Sequence, residues 1–159
     1  MSQYTQFFIR CNDKFLPIAT YSRSAKIAEL FQYVAPYEAI KPVTTEMLRE
    51  RRAEAREQLE GYNKSIARAK DQIDFLRSCT METDERLERY NDMTEYIEDL
   101  EEYKEECVGA ISFIDFLNDI LEEARTEEKW GENPLQLSEN AYVYVGIEVG
   151  TPTVENIID

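Results

Sequence analysis

Glu101, Glu102 and Glu105 stand at helical spacing, and carboxylates so placed can hold Mg²⁺ against a triphosphate. A second acidic pair, Asp119-x-x-Glu122, follows downstream. Cys11, Cys79 and Cys107 are the thiols, with no CxxC among them. The chain has no histidine, which excludes a His-based triad, an imidazole base and a His metal ligand. Without His, a nucleophilic cysteine needs a Lys or a helix N-terminus to activate it, and no such arrangement is visible. There is no GxxxxGK[ST] phosphate loop, no GxGxxG after a strand and no EF-hand loop.

The Glu101-Glu102-x-x-Glu105 element resembles the EExxE half of the Mg²⁺ site in all-α nucleotide pyrophosphohydrolases. That family pairs it with ExxD, whereas Asp119-x-x-Glu122 has its acids reversed. Strand-like segments at both chain ends also depart from an all-α fold. The residues therefore point to no enzyme, no cofactor and no metal. Cys107 falls on an apolar helix face and reads as a small buried hydrophobe.

The elements that must carry these residues are legible from periodicity. Tyr4–Cys11 and Phe15–Tyr21 read as two strands around an Asn12-Asp13 turn, with Pro17 at an edge or a bulge. Ser22 or Ser24 is expected to cap a short helix whose stripe is Ile27, Leu30, Phe31 and Val34. Pro36 and Pro42 bound a connector. From Thr44 or Thr45, a long helix carries an interleaved seam: Leu48, Arg52, Ala55, Leu59, Tyr62, Ile66, Ala69, Ile73 and Leu76. A second long helix, about Glu85 to Glu128, carries Tyr90, Met93, Ile97, Leu100, Lys104, Cys107, Ile111, Ile114, Asn118 and Leu121. Both seams step by three and four, so an antiparallel coiled-coil hairpin is expected, hinged near residues 79–83.

A hinge at residue 81 would place Arg68 near Glu95, Lys64 near Glu98, and Arg56 near Glu105 and Glu106. After Val108, Phe113, Phe116, Leu117 and Ile120 widen the apolar surface, which calls for cover from more than one side. Ala141–Val149 alternates as a strand, with Tyr142 and Tyr144 on one face. Thr151–Asp159 is a short strand or a frayed end. The expected fold is α+β: a two- or three-stranded antiparallel sheet from both chain ends, one short helix and the long hairpin. Residues 1–44 and 130–159 form the sheet part, and 45–129 is inserted between them within one structural domain.

Charge is unevenly spread. The chain has 18 basic and 33 acidic residues, net -15, and a pI near 4.5. Residues 1–44 hold five basic and three acidic groups, and residues 45–79 hold eight and seven. Residues 82–129 hold five basic against eighteen acidic, and residues 130–159 hold five acidic and no basic groups. Such a balance excludes nucleic acid or anionic membrane as a direct partner reached through a positive field. The start lacks a basic, apolar leader, and the odd cysteine count suits reduced thiols, so a cytoplasmic location is expected.

Along the second long helix, Glu88, Asp92, Glu95, Asp99, Glu102 and Glu106 step by four and three, forming one stripe opposite the seam. Its rise of about 5.4 Å per turn is comparable to phosphate spacing along one nucleic-acid strand. These observations imply a non-enzymatic protein–protein interaction module, an adaptor or oligomeric accessory protein, whose partner carries a basic surface. A homo-oligomer is expected too, with Tyr62, Tyr90, Lys104 and Asn118 as its seam positions, of which the polar Lys104 and Asn118 set register and partner number. The alternative is a nucleic-acid-mimicking inhibitor of a DNA- or RNA-binding enzyme, in the manner of phage anti-defence proteins.

Overall fold

The computed structural model describes residues 3–11, 14–32, 38–78, 83–125, 143–148 and 150–158. β1 (Tyr4–Cys11) and β2 (Lys14–Ser22) pair antiparallel, and the register shifts between Phe7 and Phe8, which face Ala19 and Pro17. Pro17, expected at an edge or a bulge, sits at both. An edge strand tolerates the missing N–H, and the skipped residue relieves the ladder around the ring.

α1 (Lys26–Phe31) is shorter than its apolar stripe suggests, and Val34 lies outside the described residues. Neither expected serine caps it. Ala25 is the N-cap, while the Ser22 and Ser24 hydroxyls hydrogen-bond to each other at 3.2 Å. Ile27, Ala28, Leu30 and Phe31 are buried, so packing rather than a cap holds this single-turn element.

The connector after α1 holds a strand that periodicity missed, β3 (Ile40–Val43), and four residues are too few to show alternation. β4 (Val143–Ile147) pairs with both β1 and β3, so the antiparallel sheet has four strands in the order β2-β1-β4-β3. Pro42 again falls on an edge strand. Ile158 N–H donates to the Ile40 carbonyl at 2.8 Å, and Ile157 bridges Ile40 in parallel. The expected short terminal strand is thus a bridge that follows a 3-10 turn at Val154–Asn156.

Both faces of β4 are covered, which is why its five residues are all buried. Val143 and Val145 join the main core, while Tyr144 packs with Phe8 and Ile40, flanked by Phe15 and Ile157. Tyr144 is therefore core rather than a surface offered to a partner. Tyr142 lies outside the described residues.

Two helices complete the fold: α2 (Thr45–Ser78) and α3 (Thr83–Arg125). Thr44 begins α2 by accepting the Met47 N–H on its hydroxyl at 3.2 Å. Leu48, Ala55, Ile66, Ala69 and Leu76 are buried along α2, and Leu100, Cys107, Ile114 and Leu121 along α3, as the two seams require. Gly61 lies in the α2 interior with open space where a Cβ would stand, at a cost of about 1 kcal/mol in helix propensity.

The base of the hairpin shares one core with the sheet and α1. Phe7, Phe31, Leu48, Ile114, Leu117, Val143 and Val145 belong to a single buried cluster. Phe7 is its hub: its ring meets Phe113 edge-on at 5.0 Å, Phe31 at 5.5 Å and Tyr21 at 6.2 Å. Phe113 and Ile120 pack against this cluster, whereas Phe116, expected to be covered, remains 47% exposed. No helix among the described residues is long and apolar enough to cross a membrane.

Candidate functional site: the distal hairpin and its acidic row

The hairpin beyond Cys107 carries the six carboxylates of the row together with Tyr62, Tyr90 and Lys104, while Asn118 lies at the base, next to Leu117 of the main core. Its register comes from the seams, not from the loop. Tyr62 stacks on Tyr103 at 5.8 Å between ring centroids, and Arg52 donates to Asp115 at 2.9 Å. Matching the seams knob to knob sets Leu76 level with Tyr90, Ile66 with Leu100 and Leu59 with Cys107. That is about one helical turn away from a hinge centred on residue 81.

The expected flanking pairs are corrected accordingly. Arg68, Lys64 and Arg56 make no ion pair with Glu95, Glu98, Glu105 or Glu106, and Arg52–Asp115 is the ion pair seen between α2 and α3 among the described residues. Both partners are substantially exposed, so it contributes at most about 1 kcal/mol.

Glu88, Asp92, Glu95, Asp99, Glu102 and Glu106 are all exposed. None of them is in an ion pair among the described residues. The helix holds them as a continuous row of exposed carboxylates. Like charges three and four residues apart repel by a few tenths of a kcal/mol each, so the row carries a small standing cost. Glu101, Glu105, Asp119 and Glu122 are exposed as well, and no three His, Cys, Asp or Glu side chains among the described residues converge to hold an ion.

The four seam positions are each half-buried: Tyr62, Tyr90, Lys104 and Asn118. Tyr90 lines two clefts near the hairpin end, one with Leu76, Arg86 and Leu87, the other with Lys70, Ile73 and Ile97. On the opposite side of the hairpin, a cleft of about 290 Å³ is lined by Gln72, Phe75, Leu76, Arg89, Asp92 and Met93.

Sequence reasoning missed a set of exposed apolar residues beside the seams. Phe75 is 65% exposed and Leu87 56%, while Tyr96 and Tyr103 are 45% and 47% exposed. Phe75, Tyr96 and Tyr103 each lie one position off a seam residue, and that offset was the available signal, while Leu87 precedes the α3 seam.

Inside the seam, burial pushes the Cys107 thiol and the Tyr62 phenol above their ordinary values, Glu106 and Glu29 adding to both. Each group is therefore neutral when folded and favours the neutral form more than the unfolded chain does. The associated stability is complete below the ordinary thiol range and is lost as pH rises through the raised values. Urea midpoints are expected to hold steady up to about pH 8 and to fall above it. A Cys107→Ala, Tyr62→Phe chain is expected to be less stable but to show a shallower alkaline fall. An equal slope in both chains would refute this assignment.

No family model, no curated protein and no solved structure matches this chain.

Proposed function

We propose that this chain is a non-enzymatic protein–protein interaction module whose working surface is the distal hairpin and whose partner is basic. The observation that carries this reading is the exposure of large apolar side chains there, with Phe75 and Leu87 more than half in solvent. Exposed apolar side chains rimmed by polar groups mark interaction sites, and aromatic residues are enriched in such sites. Leu87 lines a cleft on one side of the hairpin and Phe75 a cleft on the other, so both sides contribute. The carboxylate row beside it supplies charge complementarity, which raises the encounter rate with a basic partner and sets orientation.

A second reading, nucleic-acid mimicry, draws on the six carboxylates being exposed and outside the ion pairs of the described residues. A fixed acidic row would displace the counterions that nucleic acid displaces from a basic groove.

Two variants separate the readings when each is used to recover partners from the source cell. Phe75→Ser with Leu87→Ser is expected to lower recovery of a specific partner at least tenfold while leaving helix content unchanged. Recovery that survives this change, yet vanishes when Glu95, Asp99 and Glu102 become Lys, would replace the module by the mimic. Sedimentation of the same samples reports whether the partner is a second copy of the chain.

A further inference from the structure

One flank of the hairpin continues a surface that the chain itself covers with a helix. Tyr96, Tyr103, Ala110 and Leu117 follow each other at seven-residue steps on α3. The last two are buried at the base, where α1 packs on α3. The first two, further out, are exposed. Among the described residues the cover therefore stops near Ala110, and Tyr96 and Tyr103 stay exposed beyond it.

α1 also shows what kind of cover suits this flank. It is amphipathic, with Ile27, Leu30 and Phe31 in the core. Its Lys26, only 10% exposed, pairs with Glu29 on α1 at 3.6 Å and lines a cleft together with Glu106 and Ala110. Glu106 belongs to the acidic row. Asp99 and Asp92 continue that row at seven-residue steps, and each lies three or four residues from Tyr96 or Tyr103, hence beside them on the helix surface. The α2 side of the flank supplies Ser65 and Gln72, with open space over Gly61. The cleft on the opposite flank of the distal hairpin mixes Lys70 and Arg77 with Asp74 and Glu98, and the cleft on this flank sets Arg89 beside Asp92. The acidic bias of this flank therefore rests on Asp92, Asp99 and Glu106 rather than on its cleft.

We propose that the flank formed by Tyr96, Tyr103, Met93 and Gln72 receives an amphipathic helix of a partner protein. That helix lies in line with α1 and carries Lys or Arg along the edge that meets Asp92, Asp99 and Glu106. It rests on the reading of the distal hairpin as an interaction surface and names the class of segment that binds there. Two packed helices leave a groove in which a third helix completes a three-helix bundle, the helix-in-groove mode of recognition. The uncovered stretch from Arg89 to Glu106 is about 26 Å long, so a segment of about 17 residues fills it.

The test uses the full chain and three synthetic peptides of about 18 residues, labelled for fluorescence anisotropy. One has leucines at i, i+3, i+4 and i+7 with lysines along one edge. The second is its scrambled isomer, and the third has glutamates in place of the lysines. The lysine-edged striped peptide is expected to bind at least tenfold more tightly than either control. Tyr96→Ala with Tyr103→Ala is expected to weaken it at least 30-fold with helix content unchanged, the melting temperature falling only by what the lost Tyr62–Tyr103 ring contact accounts for. Asp99→Lys is expected to weaken it about tenfold and to improve binding of the glutamate-edged peptide. Lys70→Ala, on the other flank, is expected to change nothing.

Equal binding of the scrambled isomer would overturn the proposal in favour of unspecific charge attraction. So would a dimeric chain that the tyrosine changes render monomeric, because a second copy would then fill the flank. Failure of the striped peptide alongside partner recovery that still needs Phe75 and Leu87 would overturn the helix class and leave the interaction module standing.

Discussion

Replacing Phe7 with Ala is expected to remove about 3–5 kcal/mol of stability, the range for a large aromatic truncated in a packed core. Phe7 is fully buried on β1, and its ring touches Phe31 on α1, Phe113 on α3 and Tyr21 on β2. The change therefore loosens every layer that meets at the base of the hairpin rather than one element. Ring contacts add about 0.5–1.5 kcal/mol each beyond area burial, which puts the expected loss toward the upper end. Set against a typical total of about 5–15 kcal/mol, such a loss leaves a marginal fold. Urea unfolding followed by far-UV circular dichroism reads it as a large fall in midpoint. Phe116→Ala serves as the control. Phe116 is 47% exposed, although its ring lies 6.0 Å from that of Phe113, and its loss is expected to cost no more than about 1 kcal/mol. A Phe7 variant as stable as the Phe116 variant would show that β1 does not anchor the helices.

The reach of sequence reasoning followed the length of each pattern. The α2 and α3 seams run for many turns at steps of three and four, so their buried residues were readable one by one. The sheet from both chain ends followed from short alternating runs, but β3 did not. Its four residues include Pro42, and only pairing with β4 makes them a strand. The caps of α1 were misread because tertiary burial of Ile27 and Phe31 outweighs local capping there. The hairpin register was contained in the sequence and misjudged from the loop. Knob-to-knob seam matching overrides a loop midpoint, since a slipped register would set seam residues against polar flanks. For the site, the acidic row was legible because helical spacing alone defines it. The exposed apolar residues were not, because Phe75, Tyr96 and Tyr103 fall between seam positions and Leu87 precedes the α3 seam, and only the packed helices show which sides stay open.

Reversing Glu95, Asp99 and Glu102 to Lys tests the acidic row with the fold held constant. Each reversal changes the charge by two, so three take the net charge from -15 to -9. The three side chains are exposed and lie outside the ion pairs of the described residues, so no packed contact is lost. The new lysine at 95 has Asp92 and Glu98, and that at 102 has Glu98, Glu105 and Glu106, three or four positions away, where repulsion becomes attraction worth about 0.2–0.5 kcal/mol per pair. Position 99 meets only the other two reversed positions at that spacing and keeps its repulsion. Stability is therefore expected to rise, by up to about 1 kcal/mol, with a higher urea midpoint. Affinity for a basic partner moves the other way. Three attractive contacts of up to about 1 kcal/mol each become repulsive, which predicts a loss of about 100-fold at low salt. The salt response then divides the readings. If apolar contact at Phe75 and Tyr96 carries the binding, the two affinities converge as salt rises, because screening removes the charge contribution and leaves the apolar one. Under mimicry, the unaltered chain itself lets go of its partner as salt rises, since displaced counterions supplied the affinity. Equal affinities at low salt, with the stability gain present, would establish the row as a solvated face with no partner of its own.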